Sequence, residues 1–86
     1  MSVRTHTFCG NKYEIDFDEC AGFCEEPHPK MPTLYVGMNE LSEPEQLRVL
    51  IHESLHACDW QKQEVLVHQT SKDIARFLWR LGYRKT

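Results

Sequence analysis

The sequence contains no long apolar run, no repeat and no low-complexity tract, and each absence excludes a class of protein. No hydrophobic stretch approaches the roughly 20 residues that a membrane-spanning helix requires, so we expect no membrane partner. The opening residues, MSVRTHTF, do not form the apolar core of a secretory signal peptide, which favours a cytoplasmic location. The modest net charge of −3, with a pI near 5.9, argues against nucleic acid as a partner.

The chain is also short, and its 86 residues leave no room for a second hydrophobic core. We therefore expect a single domain over residues 1–86. A domain of this size buries little surface, so a bound metal or a partner would add to its stability.

Cysteine is sparse, at positions 9, 20, 24 and 58. In a cytoplasmic protein these side chains are expected to be reduced thiols. Cys20, Cys24 and His28 have a C-x3-C-x3-H spacing that is compatible with a second, structural metal, although it supplies only part of a four-ligand site. Free thiols in a loop are the simpler interpretation.

The hydrophobic pattern predicts an α+β fold, with a small antiparallel sheet of about three strands followed by two helices. Tyr13, Ile15 and Phe17 alternate with acidic residues after a turn at 9–11, which indicates a β-hairpin over 3–18. The next segments are a Cys/Pro loop over 19–32, a third strand over 33–37, a helix over 43–59 and a helix over 63–81. Along the chain, the hairpin, loop and strand occupy 1–41, the first helix with its cap and turn 42–60, and the second helix with its C-terminal cap 63–82.

The first helix is apolar on two sides. The stripe expected to face the core contains Leu47, Leu50, Ile51, Ser54 and Cys58, and the opposite side contains Val49, His52, His56 and Trp60. The core stripe of the second helix contains Val67, Ser71, Ile74, Leu78 and Leu81. Because a helix that is apolar on both sides is buried on both sides, we expect His52 and His56 to face structure or a cleft.

Residues 52–60, HESLHACDW, place two histidines one helical turn apart, so that His52 and His56 point the same way. Two neutral imidazoles in this arrangement can bind one Zn²⁺. Glu53 follows the first histidine, where a zinc peptidase needs a carboxylate to take a proton from the attacking water and pass it to the leaving amine. Because a motif of five positions also occurs by chance, the surrounding sequence must show whether these residues form a zinc site.

A catalytic zinc needs a third protein ligand and an open position. Glu64 is the preferred third ligand, because it projects inward from the first turn of the second helix. His68, one turn later, is the main alternative. Asp59 is the third candidate for this ligand. Its other possible role is to accept a hydrogen bond from a ligand imidazole and so orient the ring.

The stretch over 50–84, LIHESLHACDWQKQEVLVHQTSKDIARFLWRLGYR, resembles small phage-encoded and bacterial proteins of the minimal zincin type, which are similar to SprT-like and ImmA/IrrE-like metallopeptidases. The resemblance implies a small antiparallel sheet joined to the motif helix. The residues it implies for the site are His52, His56 and Glu64 as zinc ligands and Glu53 as general base. Relatives often have two acids where this chain has Gln63 and Glu64, and an acid at the position of His68.

These observations predict a minimal zinc metallopeptidase, phage- or prophage-encoded and located in the host cytoplasm, that hydrolyses a peptide or protein through a metal-activated water. If residues 33–37 form an edge strand, an extended peptide can pair with it. A non-catalytic binding or inhibitor protein that keeps zinc as a structural staple is the alternative. A third hypothesis is a nucleic-acid-associated factor that uses the basic ridge formed by Lys72, Arg76, Arg80 and Arg84.

Overall fold

The computed structural model describes residues 4–17, 21–25, 31–37 and 41–84. In these ranges the chain forms β1 Thr5–Phe8, β2 Asn11–Asp16, β3 Ala21–Cys24, β4 Thr33–Val36, α1 Glu43–Cys58 and α2 Glu64–Arg80. The predicted α+β class, a sheet followed by two helices, is confirmed. No helix within these ranges is long and apolar enough to cross a membrane.

The sheet is mixed and has the strand order β1-β2-β4-β3. β1 and β2 form the predicted antiparallel hairpin, and its turn holds Cys9 at φ 47° and Gly10 at φ 86°. β4 lies between β2 and β3, parallel to β2 and antiparallel to β3. The sheet therefore has four strands where about three were expected, and the expectation of a purely antiparallel sheet is wrong for the β2–β4 pair.

β3 lies inside the segment that was predicted to be a loop. The prolines of that segment all follow Cys24, so they do not remove any backbone donor from residues 21–24. Pairing with β4 satisfies backbone groups on one side of this short strand, and this gain depends on a partner that follows later in the sequence. Because β3 covers it, β4 is an interior strand, and the expectation that residues 33–37 form an edge is wrong.

The core lies between the sheet and α1. The buried cluster contains Tyr13, Cys24, Leu34, Val36 and Ala57, with Phe8, Ile15, Phe17 and Leu50 packed against it. α1 contacts all four strands and also α2, whereas α2 contacts α1 alone among the described elements. α1 is therefore the middle of three layers.

This layering corrects the predicted helix faces. The residues that α1 buries are Val49, Glu53 and Ala57, and Cys58 from the predicted stripe is exposed. The residues that α2 buries are Val67, Ser71 and Ala75, and Ile74 and Leu81 from its predicted stripe are exposed. The expectation that α1 is buried on two sides is confirmed, because the sheet and α2 both cover it. The stripe predicted for α2 overstates its burial, because α1 alone among the described elements covers that helix.

Both helices have defined ends. Ser42 and Glu45 form a capping box, in which the Ser42 hydroxyl accepts the Glu45 N–H at 3.4 Å and Glu45 Oε1 accepts the Ser42 N–H at 3.3 Å. At the end of α2, Gly82 has φ 95°, and its N–H donates to the carbonyl of Trp79 at 3.0 Å. Glycine at this position allows the left-handed conformation that closes the helix.

Candidate metal centre

α1 and α2 bring two histidines and one glutamate together at one end of their interface. The chain reverses between the helices in a turn over 59–63, which places the first turn of α2 beside the last two turns of α1. His52 Nε2 lies 2.8 Å from Glu64 Oε1, and His56 Nε2 lies 2.7 Å from Glu64 Oε2. The ligand atoms of the three residues all lie within 4.8 Å of one another.

The chemistry of this group suits a cation. A carboxylate only accepts hydrogen bonds, so without a cation each Nε2 must carry a proton and donate it to Glu64. A divalent metal between the three side chains satisfies the same atoms through their lone pairs. Burial raises the pKa of Glu64, but its hydrogen bonds and electrostatic interactions with His52 and His56 outweigh that effect, so that the pKa is lowered overall and the carboxylate stays ionised.

Glu53 is the buried acid of α1, with only 5% of its surface exposed. Burial raises its pKa to about 7, and the negative charge of Glu64 adds to the shift. Near neutral pH, Glu53 can therefore both take up and release a proton.

An open cavity of about 330 Å³ lies beside the three candidate ligands. Its lining consists of Cys24, His52, Glu53, His56, Trp60, Lys62 and Glu64. Cys24 comes from β3, and burial raises its pKa to about 11, so that it contributes a neutral thiol. Trp60 and Lys62 lie in the turn between the helices and give the opening an aromatic and a cationic side chain.

Ser71, predicted only as part of the core stripe of α2, contacts a candidate metal ligand. Its hydroxyl is fully buried and lies 3.3 Å from His52 Nδ1. The same hydroxyl donates to the carbonyl of His68 at 3.0 Å. A hydroxyl within an apolar stripe needs a buried partner, which was the signal for this contact.

The other candidate ligands lie apart from the group. The ring of His68 is centred 6.1 Å from that of His52, and His68 is exposed. Asp59 accepts a hydrogen bond from the N–H of Gln61 at 3.2 Å, within the turn. Of the suggested second metal site, Cys24 lies in the core cluster, and Cys20 and His28 lie outside the described residues.

The side chains of the predicted basic ridge on α2 are exposed, and one of the four packs on a tryptophan. Lys72, Arg76 and Arg80 are exposed. The guanidinium of Arg84 instead lies 3.2 Å from the centre of the Trp79 ring and donates to the Trp79 carbonyl at 2.8 Å.

Comparison of the chain with protein-family models, with curated proteins and with solved structures finds no match.

Proposed function

We propose that this protein is a small zinc-dependent peptidase, in which His52, His56 and Glu64 bind the metal and Glu53 is the general base. The observation that carries the proposal is the convergence of two imidazole nitrogens and a carboxylate within 4.8 Å, beside a buried glutamate on the same helix. Two nitrogens and one oxygen from three side chains are a ligand set of catalytic zinc sites, which keep a further position open.

The donor set fits zinc better than a hard cation such as magnesium or calcium, which takes oxygen ligands almost exclusively. When bound, zinc would polarise the scissile carbonyl and acidify a water molecule. In the metal-free protein, Glu64 contacts Nε2 of both imidazoles and Ser71 contacts Nδ1 of His52, so the three ligand side chains are already together. Zinc would take the place of the two Nε2 protons.

Glu53 supplies the proton transfer. In the metal-free protein its pKa is raised to about 7, which makes it a stronger base than an ordinary glutamate. We assign to it the acceptance of a proton from the attacking water and the return of that proton to the leaving amine. It lines the same cavity as the three ligands.

An extended peptide substrate could pair with the sheet edge that lies beside the cavity. β3 is at the edge of the described sheet, and its last residue, Cys24, lines the cavity. A peptide that pairs with the free side of β3 would therefore pass the metal position.

The test is hydrolysis of fluorescein-labelled, unfolded casein by zinc-loaded protein, with metal content measured on the same sample. Wild type is expected to carry one zinc per chain and to cleave casein. Glu53→Gln is expected to keep the zinc and to lose at least about 100-fold in rate. Glu43→Gln, an exposed glutamate of the same helix, is the matched control and should behave as wild type.

Two results would contradict the proposal in different ways. If wild type contains no zinc after reconstitution, the proposed metal site is wrong. One zinc per chain with equal casein turnover in wild type and Glu53→Gln would leave zinc as a structural staple in a binding protein.

A further inference from the structure

A stripe of large apolar side chains on α2 is left uncovered. Its members are Leu66, Ile74, Phe77 and Leu81, with exposed fractions of 54%, 38%, 61% and 58%. At about 100° per residue, they fall within a band about 80° wide, next to the face that α2 buries on α1. We call this band the α2 stripe. α2 contacts no other described element besides α1, so the described chain leaves the stripe open.

We propose that the α2 stripe is a homodimer interface, in which α2 packs antiparallel against α2 of a second copy about a two-fold axis. A two-fold contact requires a patch that is complementary to itself. With the axis midway between residues 75 and 76, Ile74 faces Phe77 of the second copy, and Thr70 faces Leu81 of the second copy. Two apolar side chains therefore meet at the centre of the contact, and an apolar side chain meets a small one at each end.

Charge complementarity supports the second copy as the occupant. Asp73 and Arg80 lie on the same flank of the stripe, about 20° apart around the helix. Within one chain they are two turns apart, roughly 10 Å along the axis, which is too far for an ion pair. In the antiparallel pair the same flanks face each other, and Asp73 of each copy comes within one turn of Arg80 of the other. The symmetry forms this pair twice.

The remaining cations of α2 do not oppose the contact. By helical position, Lys72 and Arg76 lie more than about 100° from the middle of the α2 stripe. Both are exposed, and both would remain in water in the dimer. Repulsion between the two basic helices is therefore screened at physiological salt.

Sedimentation velocity of the zinc-loaded protein over a range of concentrations tests the interface. Wild type is expected to sediment with about twice the chain mass of 10.2 kDa at micromolar concentration. Phe77→Asp should give a monomer, because it places a charge in the middle of the apolar contact. Val65→Asp is the matched control: Val65 is 69% exposed on the same helix but lies off the stripe, and this variant should remain dimeric.

A charge exchange tests the register. Asp73→Arg and Arg80→Asp should each weaken the dimer at least about tenfold, because each brings like charges together. The double variant should restore it. A monomeric wild type, or a Phe77→Asp dimer, would overturn the interface. Failure of the double variant to recover would overturn the antiparallel register. None of these outcomes depends on peptidase activity.

Discussion

The Ser71 hydroxyl lies 3.3 Å from Nδ1 of His52, on the side of the imidazole that faces away from Glu64. Because Ser71 donates its own proton to the carbonyl of His68, it is set to accept the Nδ1–H. In the metal-free protein Nε2 also carries a proton, which it donates to Glu64. When a metal displaces that proton, the contact with Ser71 keeps the remaining proton on Nδ1 and leaves the Nε2 lone pair for the metal.

Ser71→Ala is therefore expected to weaken zinc binding by about 10- to 100-fold. Competition against a chromophoric chelator measures the dissociation constant. Ser54→Ala is the matched control, because the Ser54 hydroxyl donates to the Leu50 carbonyl at 2.6 Å within α1. Equal zinc affinity in Ser71→Ala and Ser54→Ala would rule out a role for Ser71 in orienting His52.

The proposal that Glu64 rather than His68 is the third zinc ligand can be tested separately. Glu64→Ala removes both oxygens that face the imidazoles, so the purified variant is expected to lose its zinc. His68→Ala removes a ring centred 6.1 Å from His52 and outside the ligand group, so it is expected to keep one zinc per chain. Elemental mass spectrometry measures the zinc content of both variants. Zinc kept in Glu64→Ala and lost in His68→Ala would show that His68 is the ligand.

The parts of this fold that could be predicted from sequence depend on neighbours along the chain. The capping box at Ser42, the two helices and the shared direction of His52 and His56 follow from local spacing. Glu64 could be placed near them because only a short turn separates the helices.

The missed features depend on contacts between distant segments. β3 is paired with β4 alone among the described strands, and β4 lies parallel to β2, to which it is connected through β3 rather than by a tight turn. Residue spacing within one strand contains no information on either choice. The two-sided burial of α1 was predicted, but which of its residues are most deeply buried (Val49, Glu53 and Ala57) depends on how the sheet and α2 pack against it.

Glu53 predicts how the stability of the metal-free protein varies with pH. Burial, with a contribution from the charge of Glu64, raises its pKa from 4.5 to about 7. The folded carboxyl thus binds a proton more tightly than the unfolded one. Its favourable contribution is complete below pH 4.5 and is lost as the pH rises through about 7.

Glu53→Gln stays neutral at every pH and does not undergo this loss. After metal removal, the variant is expected to exceed wild type in free energy of unfolding near pH 8 by on the order of 1–3 kcal/mol. The difference should disappear at about pH 4, where wild type is also neutral. Urea denaturation at both pH values measures it, and a difference that is constant with pH would contradict the buried, raised-pKa state of Glu53.

The cap of α1 gives a stability prediction that is independent of the metal. Ser42→Ala removes the hydroxyl that accepts the Glu45 N–H and is expected to cost about 1 kcal/mol of unfolding free energy. Zinc affinity should not change, since the cap is at the end of α1 far from His56.

This effect should also depend on pH. The hydrogen bonds that Glu45 accepts from the Ser42 side chain and backbone lower the pKa of Glu45, so the contribution of the box is present above the ordinary glutamate range and is lost as Glu45 becomes protonated in acid. Thermal unfolding of wild type and Ser42→Ala should therefore differ more at neutral pH than in acid. An equal difference at both would mean that the Glu45 carboxylate adds nothing to the cap.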